Sequence, residues 1–139
     1  IKTPLEHSGF RYYGMGPYEN YCDMNHASMI DFYESDADSE YVNYIMPQEH
    51  GSHFNTKFLK LGGYTFEAAQ GFSCNVSEYS IQELTRKNHY FELQKDEFTN
   101  VRIDYKVSGI GSNSCGPELL EKYRMNDGDV EFTFTIKKV

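Results

Sequence analysis

Residues 101–107 alternate apolar and polar side chains without a break: Val101, Arg102, Ile103, Asp104, Tyr105, Lys106, Val107. Successive side chains of a strand point to opposite faces, so a run of this period is a half-buried β-strand and cannot be an amphipathic helix. The same period returns along most of the chain. It is read in Phe10 and Tyr12 ahead of Gly14, in residues 41–46 up to Pro47, in residues 54–61, in residues 64–68, and in Phe72, Cys74 and Val76. Residues 89–93 and 101–107 form a further expected pair across a turn at residues 95–99, and residues 130–136 close the chain with the cleanest alternation. Gly62-Gly63 between two such runs is a hairpin turn. Helices are few. Ser80-Ile81-Gln82-Glu83 has the form of a capping box, opening a helix to about Arg86. Residues 117–123 predict one helical turn with Pro117 at its first position, and residues 25–33 fit either state.

Strands at this spacing, with turn residues between them, predict an all-β chain built as an antiparallel β-sandwich. With 139 residues one domain is expected, spanning 1–139. Tyr (12) and Phe (10) are abundant, as suits cross-strand pairs on a pleated surface. Thirteen Lys and Arg against 21 Asp and Glu give a net charge of -8, which repels a phosphate backbone and argues against nucleic acid as a partner. No apolar run reaches the ~18 residues of a membrane span, so no membrane partner is expected. The chain opens Ile1-Lys2-Thr3-Pro4 with no initiator methionine, as a piece of something larger would.

The search for chemistry returns little. Cys22, Cys74 and Cys115 are odd in number and widely spaced, which fits buried thiols rather than a disulfide framework. The triplet Asn75-Val76-Ser77 is a glycan acceptor in form but lies in an alternating strand. His50 and His53 are three apart, so on a strand they face opposite ways and no metal site is expected. Gly14-Met15-Gly16-Pro17 lacks the third glycine of a dinucleotide fingerprint. Glu19, Asn20 and Glu49 belong to turns that follow Pro17 and Pro47, where a carboxylate is expected to accept backbone amides. The one stretch suited to binding is Gly109-Ile110-Gly111-Ser112-Asn113-Ser114-Cys115-Gly116-Pro117, a small-residue loop leaving the end of a strand.

Taken together, these segments resemble the C-terminal domain of the large bacterial β-galactosidases of glycoside hydrolase family 2. Gly14-Met15-Gly16-Pro17-Tyr18-Glu19-Asn20-Tyr21 is similar to that domain's Gly-x-Gly-Pro-x-Glu-Asn-Tyr, and Tyr44-Ile45-Met46-Pro47-Gln48-Glu49-His50-Gly51 to its Tyr-Val-x-Pro-Gln-Glu-Asn-Gly, with His50 in place of Asn. Phe72-Ser73-Cys74-Asn75-Val76-Ser77-Glu78-Tyr79-Ser80, the region 84–93 with His89, and the loop from Gly109 to Pro117 fit in the same order. The resemblance implies the C-terminal half of a galactose mutarotase-like supersandwich. It implies an accessory role in hydrolysing terminal β-D-galactosides such as lactose, with the catalytic glutamates on an absent barrel. By the same resemblance Ser112, Asn113, Ser114 and Cys115 border the substrate pocket, and Cys115 stands where some members carry a sugar-stacking tryptophan. The implied partners are the barrel and the N-terminal half of the sandwich, or a separate large subunit, in a bacterial, cytoplasmic oligomer. No cofactor is expected within this chain; magnesium or sodium ions would belong to the full enzyme. Two other readings stay open: a free-standing carbohydrate-binding module, and a mutarotase-like protein using a His and a Glu as acid and base.

Overall fold

Alternation becomes a buried and an open face. In the computed structural model, which describes residues 1–4, 6, 8–111 and 116–139, strand β2 (Gly9–Gly16) turns Phe10, Tyr12, Gly14 and Gly16 inward and leaves Arg11, Tyr13 and Met15 on the other face. Strand β4 (His53–Leu61) buries Leu59 and Leu61 beside them, and β5 (Tyr64–Ser77) adds Phe66, Ala68, Phe72, Cys74 and Val76. With β1 (Lys2–Pro4), β3 (Met29–Asp36), β6 (Phe98–Asp104) and β7 (Thr135–Lys138) these make one seven-stranded sheet. Its order is β1-β6-β5-β4-β2-β3, with β7 also on β5, and every pairing is antiparallel. The all-β antiparallel class read from the alternation is the class observed.

The hairpin turn lies at Gly62-Gly63, whose φ values of 58° and 77° are both in the left-handed region that two-residue hairpins with the right twist require. Beyond it the two runs at 64–68 and 72–76 are a single strand, β5, which pairs with β4 over both parts, with β7 over the first and with β6 over the second. Helix α1 (Ile81–Arg86) starts where the capping box predicts, with Ser80 Oγ accepting the Glu83 amide at 3.2 Å. The box is half made, because the Glu83 carboxylate accepts the Gln94 amide (2.9 Å) instead of reaching back. None of the helices among the described residues is long and apolar enough to cross a membrane.

Several expected elements differ in the structure. Residues 41–46 are not a strand; the amides of Tyr41 and Tyr44 donate to the nearby carbonyls of Asp38 and Val42, and the alternating aromatics are anchors instead. Tyr41 packs against the rings of His50 and Tyr79, and Tyr44 reaches Glu19. Residues 89–93 hold a 3-10 turn, Tyr90–Glu92, because the Glu92 carboxylate gathers the amides of Asn88 and His89 at 3.1 and 2.8 Å. Strand β6 therefore pairs with β1 and β5 and ends at Asp104, short of Val107. Of residues 130–136 only the last two are strand, since Phe132 and Phe134 use their alternation to pack on the core before ladder pairing begins at Thr135. The turn expected over 117–123 is confined to Glu121–Tyr123, and the ambiguous stretch 25–33 gives way to β3 at Met29.

Candidate functional site

The site is the neck of the glycine- and serine-rich loop, and it is built by the turn that follows β2. Past Gly16 the chain cannot continue its ladder through Pro17, which has no N–H to give. Asn20, fully buried, closes the turn: its side-chain amide donates to the carbonyls of Met15 (2.8 Å) and Tyr18 (2.9 Å), while its Oδ1 accepts the Phe54 amide at 2.6 Å. The Asn20 amide itself donates to Ser52 at 2.7 Å. One side chain thus joins the end of β2 to the start of β4.

Glu19 ties the same turn to the segment before β4. Its carboxylate accepts the Gly51 amide (2.9 Å) and the phenols of Tyr21 (3.2 Å) and Tyr44 (2.5 Å). Burial, and then the neighbouring Glu19 charge, push both phenols well above the ordinary tyrosine range. Glu49 is engaged elsewhere, in an ion pair with Arg102 of β6 at 2.8 Å. Glu19 and Asn20 therefore meet in one network, and Glu49 stands outside it.

The next residues reach the loop. Tyr21 and Met24 exchange backbone hydrogen bonds at 3.0 Å, and the Asn25 amide donates to the carbonyls of Tyr21 (2.9 Å) and Cys22 (3.0 Å), which makes the intervening bend rigid. From that bend the Asp23 carboxylate accepts two successive loop amides, Ile110 at 3.0 Å and Gly111 at 3.1 Å. The Cys22 thiol lies 3.7 Å from the carbonyl of Val107 and 3.8 Å from that of Tyr123, so it touches both sides of the neck. Burial, then the Asp23 charge, raise the Cys22 pKa, which keeps the sulfur a neutral thiol and a donor. A cleft of about 380 Å3 opens alongside, bordered by Pro17, Glu19, Asp23 and His26. Ser112, Asn113, Ser114 and Cys115 lie outside the described residues.

The remaining candidates are structural in their contacts. Asn75 is buried and donates to the carbonyls of His50 (2.5 Å) and Gly51 (3.1 Å), so its amide is not presented to a glycan. His50 Nδ1 lies 2.8 Å from the Gln48 carbonyl and His53 Nε2 lies 2.8 Å from Glu40, in separate surroundings. Cys74 is buried, which pushes its thiol up to about 12. Among the described residues no three His, Cys, Asp or Glu side chains converge as a metal ion requires, and the Glu19 carboxylate is taken by three donors. Sequence reading missed Cys22, Asp23, Asn25 and Tyr44; the nearest signal was the short run of Cys, Asp and Asn just after Glu19-Asn20-Tyr21.

Fold and neck together define an antiparallel all-β unit in which a sheet holds the neck of a loop on a hydrogen-bonded base. A family model described as the beta galactosidase small chain matches residues 1–136, and the chain belongs to that family. It is 42% identical over 125 residues to a beta-galactosidase of Actinobacillus pleuropneumoniae, covering 90% of this chain and 12% of that protein. A beta-galactosidase of Staphylococcus xylosus is 39% identical over 143 residues, covering 100% of this chain and 14% of its own length. One from Kluyveromyces lactis is 31% identical over 137 residues, covering 94% and 13%. The chain thus spans between 12% and 14% of the length of these relatives.

Proposed function

We propose that this chain is the accessory C-terminal part of a β-galactosidase, one that hydrolyses terminal β-D-galactosides such as lactose. It lends residues 112–115 to the substrate pocket and leaves bond cleavage to a barrel carried by the rest of the enzyme. The observation that carries the reading is that nearly the whole chain, residues 1–136, matches the small-chain family while amounting to 12% and 14% of its two most similar relatives reported above. Glycoside hydrolysis needs two carboxyl groups facing each other across the bond. Here several of the acids are already held by the fold: Glu19 by three donors, Asp23 by two loop amides, Glu40 by His53, and Glu49 by Arg102. The same contacts speak against a Glu49–His50 acid–base pair, since the two side chains are held by different partners.

The chemistry left to the chain is positional. A sheet face and a pinned loop neck supply one wall of a pocket, and a sugar bound there loses freedom before the bond breaks. A second reading, a free-standing sugar-binding module, draws on the exposed ring of Phe32 and the half-buried rings of Tyr13 and Phe58 beside it. Phe32 is tilted 38° from Tyr13 and 48° from Phe58, however, so the three rings do not make the flat platform a pyranose stacks on, and an interface with the rest of the enzyme suits them better.

The test is complementation. The purified chain alone should leave a chromogenic β-galactoside intact, and co-expression with a β-galactosidase truncated before this region should restore hydrolysis. Turnover by the chain alone that is lost on mutating one of its own carboxylates would overturn the reading. Tight lactose binding by the isolated chain, without any restored hydrolysis, would favour the sugar-binding module.

A further inference from the structure

We propose that Asp23, with Cys22 beside it, is the residue that positions the substrate-side loop, so that sugar affinity in the assembled enzyme is set in part from the far end of β2. The inference rests on the reading of residues 112–115 as part of the substrate pocket. It is carried by contacts at the two ends of the loop, all between described residues.

An ionised carboxylate that accepts two consecutive backbone amides fixes the direction of both peptide planes, and such charge-assisted bonds are roughly twice as strong as neutral ones. Asp23 does this at Ile110 and Gly111, the last two residues before 112–115. Gly109 shows how close the approach is. A Cβ at that position would lie within 2.7 Å of all three atoms of the Asp23 carboxylate, so a side chain there would displace the carboxylate. The adjacent Cys22 thiol contacts the carbonyls of Val107 and Tyr123, linking the chain before the loop to the chain after it. The bend that presents both residues is itself locked by Asn25 and by the Tyr21–Met24 pair, and Asn20 fastens it to β4. A continuous set of hydrogen bonds therefore runs from the sheet core to the loop base. Loops are otherwise the segments that open most readily, and a pocket wall that wanders by about 1 Å gives up much of its effect on reactivity.

The assignment makes a prediction that a merely structural residue would not meet. In the full-length β-galactosidase containing this chain, KM and kcat for lactose are measured for four forms. These are the wild type, Asp23→Ala, a loop variant with Ser112, Asn113 and Ser114 all changed to glycine, and the two combined. Hydrogen exchange of the Ile110 and Gly111 amides is followed in the same proteins. Asp23→Ala is expected to raise KM about tenfold, to speed exchange at those two amides, and to leave KM unaffected when added to the loop variant. Asp23→Asn keeps one acceptor oxygen but turns an amide N–H toward a backbone N–H, so it should fall between wild type and Asp23→Ala.

The pocket role of residues 112–115 and the positioning role of Asp23 are separable by these measurements. If the loop variant raises KM and Asp23→Ala does not, the positioning role is wrong while the pocket reading stands. If the loop variant itself leaves KM unchanged, the pocket reading falls and this proposal with it. A KM increase from Asp23→Ala that persists undiminished in the loop variant would show a general structural effect and overturn the proposal. Should Asp23→Ala fail to assemble, Gly109→Ala tests the same contact from the loop side, with the same exchange and KM readouts; an unchanged KM there would overturn it as well.

Discussion

Asn20 shows how much of this fold rests on single polar side chains. It is buried, and each of its three side-chain hydrogen bonds satisfies a backbone group of a different residue. Asn20→Ala would strand two carbonyls and an amide. A buried polar group left unpaired costs about 1–3 kcal/mol, and relaxation recovers part of it, so a loss on the order of 3 kcal/mol is expected in the denaturant midpoint. A change below the noise of that measurement would mean the turn does not depend on Asn20. Asp104 offers a contrast. Burial raises its pKa, with Glu49 adding to the effect and Arg102 opposing it. The folded chain therefore takes up a proton at a pH where the unfolded chain is already ionised. The associated stability is present below the unfolded pKa and lost as pH rises through the folded one. Asp104→Asn should thus be more stable than wild type at pH 7 and equal to it in acid, as urea unfolding at both pH values would reveal. Neither residue advertised its role in the sequence: Asn20 sat in a recognisable turn, but the groups it satisfies come from positions as distant as Phe54.

Elements were legible wherever alternation and ladder pairing coincide. Strands β2, β4, β5 and β6 are all found where period-2 patterns lie, and the Gly62-Gly63 turn is where two such runs meet. The pattern misled where aromatic residues alternate for another reason. Tyr41 and Tyr44 anchor a loop through their rings and a phenol, and Phe132 and Phe134 cover the core from a segment without backbone partners in the sheet. Period alone reports which side chains are buried and not whether a neighbouring strand is there to pair. The neck was illegible for a related reason. Asp23 and Ile110 are 87 positions apart, and nothing local to either announces the other. Helix α1 is the opposite case, since its cap is read directly from Ser80 and Glu83. With the Glu83 carboxylate diverted to Gln94, the Ser80 hydroxyl is the only side-chain cap at that end among the described residues. Ser80→Ala should therefore cost about 1 kcal/mol. Thermal unfolding would register this as a lower midpoint, and an unchanged midpoint would mean that tertiary packing of Leu84 alone holds the helix.

At the scale of the whole molecule, the open face of the sheet sets how this chain behaves on its own. Strand β3 is the last in the sheet order and pairs only with β2 among the described strands. It carries Met29, Ile30 and Phe32 largely exposed, and Phe32 lies 4.7 Å from Tyr13 and 5.9 Å from Phe58 between ring centres. An apolar cluster next to an edge with no further strand partner among the described residues favours association. Charge works the other way. Each copy has a net charge of -8, and Asp31, Glu34 and Asp36 line the edge itself, with Arg11 paired to Glu34. Repulsion between such copies is screened over about 10 Å at 0.1 M salt and over about 3 Å at 1 M, whereas apolar contact is not weakened by salt. The isolated chain is therefore expected to self-associate at moderate concentration, and more strongly as salt is added. Sedimentation velocity across a salt series would measure this, and Phe32→Glu should shift the chain toward monomer by placing a charge at the centre of the cluster. A monomer at every concentration and salt level would mean the face is adequately solvated as it stands, and that the Tyr13–Phe32–Phe58 cluster does not mark an interface.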